Sequence, residues 1–244
     1  MQKIVTIGDV HGRDHWKKIV AKEADADMFV FIGDYYDTPA ISPEKVHINF
    51  REILEFKRAN PDKVTLLIGN HDLHYMACAT QKCSGYNEKV ALVARIHLEE
   101  ALKNKEIQVC YRYENFFFSH AGITEHWLAK TDFPVNGGLL VEYINDLFYK
   151  QPELFEYQKE DTSGYGEHIA QSPMWVRPES LKKDVITGMS YVIGHTTFPN
   201  VFAVDIEYGQ HIIFTDAPKS GEYFVIENNE GKIKTWHEEK RKTS

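Results

Sequence analysis

Residues 28–39 read Met28-Phe29-Val30-Phe31-Ile32-Gly33-Asp34-Tyr35-Tyr36-Asp37-Thr38-Pro39. The run from Met28 to Ile32 is continuously apolar and rich in β-branched and aromatic residues, which predicts a buried strand. Gly33 ends it, and two carboxylates follow at once. Asp34 and Asp37 therefore stand where the core meets solvent, and no Lys or Arg follows closely to balance them. The compensating charge has to come from elsewhere in the fold.

The same pattern recurs along the chain. Lys3 to Ile7 ends in Gly8-Asp9-Val10-His11-Gly12, and Val64 to Ile68 ends in Gly69-Asn70-His71-Asp72. Phe116 to Ser119 closes on His120-Ala121-Gly122, and Tyr191 to Ile193 on Gly194-His195-Thr196. Between the first three strands lie helical patterns. Arg13 to Ala24 places Trp16, Ile19 and Val20 on one face, and Glu88 to Lys103, after the third strand, is a long amphipathic run. Ser42-Pro43-Glu44 starts a helix expected to reach about Ala59, before Asn60-Pro61. Ile107 to Tyr113 reads as one strand, and Phe202 to Asp205, Gln210 to Thr215, Tyr223 to Ile226 and Lys232 to Trp236 as others. The order is βαβαβα followed by a β-rich half, which predicts an α/β (α+β) fold of two packed sheets with helices outside. We expect one domain over residues 1–237, with a helical cap-like segment at about 124–185 and a charged tail at 238–244.

Composition narrows the partners. The 244 residues carry a net charge of −8 and a pI near 5.8, so a nucleic-acid partner is not expected. No run approaches the ~20 apolar residues of a membrane span, and the N-terminus reaches Asp9 too soon for a signal peptide. Three cysteines, Cys78, Cys83 and Cys110, do not form a disulfide framework and read as reduced thiols. These features together lead us to expect a cytoplasmic protein.

In α/β folds, sites form outside the carboxyl ends of strands. If the sheets bring the five polar ends together, the site contains carboxylates, imidazoles and one amide oxygen. That set suits Mn²⁺, Fe or Zn²⁺, and Cu less well. Asp9 and His11, two residues apart, can face one ion. A carboxylate can bridge two ions where an imidazole normally cannot, which makes Asp34 the natural bridge between a pair ~3.5–4 Å apart. Alone, each cluster is an ordinary cap, turn or structural histidine. The set of five behind five strands is what points to a metal site. His47, His97 and His237 read as surface or packing residues, and His74 lies one helical turn past the pattern.

Together, GDVHG, GDYYD, GNHD, HAG and GHT resemble the calcineurin-like metallophosphoesterases. The likeness is to the branch of serine/threonine protein phosphatases and symmetrical diadenosine tetraphosphate hydrolases, and it runs from Gly8 to Thr196. It implies two packed mixed β-sheets flanked by helices and two divalent metal ions, with Mn first and Fe and Zn as alternatives. Asp9 and His11 would hold the first ion, Asp34 both, and Asn70, His120 and His195 the second. His71 resembles the general acid, and Asp37 the carboxylate that orients it. Where other branches have a second His two places after His195, this chain has Thr197, so the resemblance implies an open side on the first ion.

One departure bears on substrate. Protein phosphatases usually have a phosphate-gripping Arg straight after the second acid of GDYYD, and here that residue is Thr38. Arg177, in a Trp-x-Arg stretch like that of bacterial protein phosphatases, and Arg13, straight after GDVHG, are the candidate replacements. A guanidinium fork fits phosphate geometry. Tyr143, Phe148, Tyr149, Phe155, Tyr157, Tyr165 and Trp175 either pack the helical segment or stack a base. The resemblance implies a dinuclear metal-dependent phosphatase hydrolysing phosphomonoesters, including phosphoserine or phosphothreonine, by in-line attack of a metal hydroxide. The alternative is a dinucleoside polyphosphate hydrolase of the diadenosine tetraphosphate type. Expected partners are thus a phosphorylated small molecule, a nucleotide or a phosphoprotein. A non-catalytic scaffold is a third reading, and the complete ligand set argues against it.

Overall fold

The computed structural model describes residues 2–134 and 139–237, so the predicted tail at 238–244 lies outside it. The first strands are β1 (Lys3–Ile7), β2 (Met28–Phe31), β3 (Val64–Leu67) and β4 (Ile107–Gln108), all parallel. Helices α1 (His15–Lys22), α2 (Pro43–Ala59), the short α3 (Asn70–Leu73) and α4 (Glu88–Lys103) lie between them. A second sheet takes β5 (Cys110–Tyr113), β6 (Phe116–Ser119), β7 (Ser190–Ile193), β8 (Phe202–Asp205) and β9 (His211–Phe214), in the order β5-β6-β7-β9-β8. Finally β10 (Glu222–Glu227) and β11 (Glu230–Thr235) return to the first sheet and complete β11-β10-β1-β2-β3-β4. Both sheets mix parallel and antiparallel pairs, as the resemblance implied.

Strand periodicity explains the layering. Ile4 and Val30 of the first sheet pack with Phe116, Phe118 and Val192 of the second, forming the layer between the sheets. Their neighbours Val5, Ile7, Phe29, Phe31, Phe117 and Tyr191 face the other way, into the helical layers. The segment from 124 to 185 holds α5 (Glu125–Ala129), α6 (Leu140–Lys150), a 3₁₀ turn (Pro152–Phe155) and α7 (Pro178–Lys183), with irregular chain between. Trp127, Ile144, Phe148, Phe155 and Leu181 bury its apolar side in the main core.

Two expectations need correction. The helix expected from Arg13 begins at His15, after the left-handed turn at Gly12 (φ 69°) and a non-helical N-cap at Asp14. The single strand expected over Ile107 to Tyr113 is two strands in different sheets. The chain crosses at Val109, where Asn145 of α6 acts as a clamp. Its Oδ1 accepts from the Val109 and Cys110 amides at 2.8 and 3.1 Å, and its Nδ2 donates to the Cys110 carbonyl at 3.0 Å. Asn145→Leu keeps the branched shape at Cγ and removes all three bonds. Each unsatisfied buried backbone group costs about 1–3 kcal/mol, so the urea midpoint should fall by the equivalent of roughly 2 kcal/mol or more. An unchanged midpoint would show that the crossover does not depend on this clamp.

Candidate metal centre

The carboxyl ends of β1, β2, β3, β6 and β7 meet at one edge of the sandwich. The loop after β1 continues alongside the loop after β2, with the Val10, His11 and Gly12 amides donating to the Gly33, Asp34 and Tyr35 carbonyls. Asp72 joins the third loop: its Oδ1 accepts from the Tyr35 amide at 2.8 Å and its Oδ2 from the Gly69 amide at 3.0 Å. Packing at the edge is tight enough to require glycine. A Cβ on Gly69 would lie 2.1 Å from Asp34 Oδ1, and one on Gly194 would lie 1.9 Å from Asp9 Oδ1.

Four of the predicted site residues have left-handed backbones. His11, Asp34, Asp37 and His195 have φ of 44, 50, 66 and 62°. Each such residue costs on the order of 1–3 kcal/mol, and such strain concentrates at functional sites.

The histidines are held with bare nitrogens turned inward. His11 Nδ1 donates to the Tyr36 carbonyl (2.7 Å), His120 Nδ1 to the Ile32 carbonyl (3.0 Å) and His195 Nε2 to the Trp175 carbonyl (3.1 Å). A carbonyl accepts only, so the opposite nitrogen of each neutral ring carries a lone pair. His11 Nε2 faces Asp34 Oδ2 at 3.6 Å, and His120 Nε2 faces the same oxygen at 3.4 Å. Asn70 Oδ1 lies 2.9 Å from His120 Nε2 and 3.1 Å from His195 Nδ1, and those two nitrogens are 3.2 Å apart. Asn70 orients this oxygen by turning its amide Nδ2 toward Cys83 Sγ.

Lone pairs facing lone pairs repel unless a cation lies among them. The donor set therefore fits divalent metal ions, with Asp34 Oδ2 placed between the His11 side and the His120 side. Asp9, Asp34 and His120 also present donor atoms within 4.8 Å of one another, all buried. Asp9 is fixed by the His195 amide, 3.2 and 3.0 Å from its two oxygens.

Electrostatics support the same assignment of charge. Burial, with the Asp216 and Asp34 carboxylates, pushes Asp9 well above the usual carboxylate range. Burial would also raise Asp34, but the surrounding histidines, His120 first, hold it low. Burial lowers both His120 and His195, which keeps them neutral as ligands must be.

Beside this cluster, His71 Nδ1 lies 2.9 Å from Asp37 Oδ2. Burial pulls the His71 pKa down, but the Asp34 and Asp37 charges outweigh it and the net shift is upward. Asp37 has more support than the sequence suggested. The Tyr75 hydroxyl donates to its Oδ1 at 2.5 Å. His74 Nε2 also comes within 2.8 Å of its Oδ2, without the alignment of a hydrogen bond. His74, set outside the pattern in the sequence reading, thus touches the same acid as His71. The signal was their spacing of three on one helical turn. Cys83 lies beside His71 and His74. Its thiol contacts the Asn70 carbonyl, and burial pushes its pKa far up.

The two arginines sit on different sides. Arg177, at the start of α7, donates through Nη1 to the His195 carbonyl and Thr196 Oγ1, and through Nε to the Tyr165 carbonyl. Its Nη2 has no protein partner among the described residues. Arg177 lines a cleft of about 470 Å³ with Asn70, His71, Tyr157, Tyr165 and Trp175. Arg13 is not in that cleft: its Nη2 donates to the Asp9 carbonyl. Thr38 is spent locally, its hydroxyl accepting from the Ala40 amide. Of the aromatics, Phe148 and Phe155 are core, whereas Tyr157, Tyr165 and Trp175 wall the cleft. His47, which bonds the Tyr36 hydroxyl and packs against His97, lies apart from the cluster. The sequence reading missed Asp216, which is buried after β9 and within electrostatic range of Asp9 and Asp34.

Comparison with known proteins agrees with this fold. The sequence model of one family, described as calcineurin-like phosphoesterase, matches residues 2–201. Serine/threonine-protein phosphatase 7 of Arabidopsis thaliana is 34% identical over 79 residues, 31% of this chain and 18% of that protein. A cold-active protein-tyrosine phosphatase of a psychrophilic Shewanella species superposes with a TM-score of 0.65 at 18% identity, over 97% of this chain and 78% of that one. A serine/threonine phosphatase of Saccharomyces cerevisiae does so with a TM-score of 0.55 at 12% identity, over 99% and 82%. These solved structures share the fold. From the family match over most of its length, and from the metal-ready cluster at the strand ends, the chain belongs to the calcineurin-like phosphoesterases, a family of metal-dependent phosphatases.

Proposed function

We propose that this protein hydrolyses phosphomonoesters, phosphoserine and phosphothreonine included, at a dinuclear metal site. The observation that carries the reading is the convergence of bare donor atoms on Asp34 beside the His71–Asp37 pair. Asp9, His11 and Asp34 would hold one divalent ion, and Asp34, Asn70, His120 and His195 the other. Mn²⁺ is our first assignment, with Fe and Zn²⁺ as alternatives. Two such ions supply a nucleophile at neutral pH and neutralise charge on the transferring phosphoryl group.

The remaining steps belong to side chains. Arg177 offers its unspent Nη2 to a phosphate oxygen. His71 presents Nε2 to the leaving oxygen and donates its proton there, while Asp37, fixed by Tyr75, stabilises the imidazolium beforehand. Burial lowers the pKa of His120 and His195 and so disfavours their taking up that proton. No helix among the described residues is long and apolar enough to cross a membrane, and we place the reaction in the cytoplasm. The aromatic wall of Tyr157, Tyr165 and Trp175 favours a second reading, a dinucleoside polyphosphate hydrolase whose base stacks in the cleft. Turnover of diadenosine tetraphosphate against phosphoserine, phosphothreonine and phosphotyrosine peptides separates the two.

Two outcomes test the chemistry. His71→Asn should lower kcat on an alkyl phosphate by about 10²–10⁴-fold and have far less effect on 2,4-dinitrophenyl phosphate, whose leaving group needs no proton. Asp34→Asn should abolish turnover of both. Equal losses on the two substrates for His71→Asn would remove the general-acid role. Arg177→Lys keeps the charge but loses the fork, and a charged hydrogen bond is worth about 1.5–3 kcal/mol. Its kcat/KM should therefore fall roughly ten- to a hundredfold. Parent-like kinetics would take Arg177 out of substrate binding.

A further inference from the structure

Asp216 follows β9, directly after Thr215, and its position is set by three strand ends. The Thr215 amide and hydroxyl both donate to the Ile193 carbonyl of β7, each at 2.8 Å. The Phe198 amide donates to the Asp216 carbonyl at 2.9 Å. The end of β1 is pressed against the same turn, since a Cβ on Gly8 would lie 2.5 Å from the Thr215 carbonyl oxygen. The Asp216 carboxylate is 3% exposed. Its Oδ2 accepts from the Thr197 hydroxyl, and its Oδ1 has no hydrogen-bond partner among the described residues. The charged groups around it are Asp34, His11, Arg13 and Asp9.

A buried carboxylate oxygen without a donor, within electrostatic range of Asp9 and Asp34, is unfavourable as it stands. Arg13 does not satisfy it: Nη2 is bonded to the Asp9 carbonyl, and buried Nε has no partner of its own. Thr197 fixes one oxygen and leaves the other unpartnered, as hydrogen-bonded partners orient metal-binding carboxylates. Thr197, beside the side expected to be open, is therefore bonded to a buried carboxylate. Building on the dinuclear reading above, we infer that Asp216 is a further carboxylate donor to the divalent cation at the Asp9–His11 end of the cluster. That end then combines three carboxylates with one imidazole, a set that favours Mn²⁺ or Fe²⁺ over softer ions.

Calorimetric titration of the metal-free full chain with Mn²⁺ tests this, alongside thermal melting of the metal-free protein. The parent should bind two Mn²⁺. Asp216→Asn should retain one site and weaken the other at least tenfold, while the metal-free variant melts at or above the parent because a repulsion is relieved. Thr197→Val should weaken the same site by a smaller factor. Two Mn²⁺ sites of parental affinity in Asp216→Asn would overturn the inference. So would a variant that melts well below the parent and loses both sites, because the carboxylate would then belong to the framework. A parent that binds fewer than two Mn²⁺ would instead count against the dinuclear reading itself.

Discussion

Everything at the site depends on one constraint: donor atoms with lone pairs are forced to face each other at the edge of a β-sandwich. His11, His120 and His195 have no freedom to turn a proton inward, because a backbone carbonyl takes the N–H on the far side of each ring. Those carbonyls belong to Tyr36, Ile32 and Trp175, and so to the strand ends and the loop before α7. Left-handed backbones at His11, Asp34, Asp37 and His195 complete the arrangement. The fold thus stores an electrostatic conflict that cations resolve. A site built in this way has affinity for metal because its metal-free state is poor, as well as because its ligands are good.

The surroundings divide the labour by side. Toward Arg177 the cluster opens on a cleft with aromatic walls, where a substrate can reach His71 and Asn70. Toward Asp216 it is closed, carboxylate-rich and packed against Gly8 and Thr197. On the proposed mechanism, chemistry that releases a leaving group belongs on the open side. The His71–Asp37–Tyr75 chain is there, and no equivalent chain lines the Asp9 side among the described residues.

Much of this was legible in the sequence, for a physical reason. When a donor residue directly follows a buried strand, the apolar run and a glycine or small residue mark it, so Asp9, Asp34, Asn70, His120 and His195 could be read together as a set. Asp216 follows a strand too, but Thr215 replaces the glycine and Ala217-Pro218 makes the stretch look like a plain turn. His74 was obscured because its relation to Asp37 exists only once α3 winds a turn. The sheet crossover at Val109 left no trace because it carries no Gly or Pro. It is held by Asn145, on a helix 36 residues away. Glycine was readable as a turn former, yet at Gly69 and Gly194 the reason is the approach of Asp34 and Asp9 from other loops. That is tertiary information.

The central claim is that two cations share Asp34. Anomalous scattering from a crystal of the Mn²⁺-loaded protein addresses it most directly. The account predicts two peaks roughly 3.5–4 Å apart, flanking Asp34 Oδ2, one by Asp9 and His11 and one by Asn70, His120 and His195. A single peak, or a peak held by His71, His74 and Cys83 instead, would contradict it.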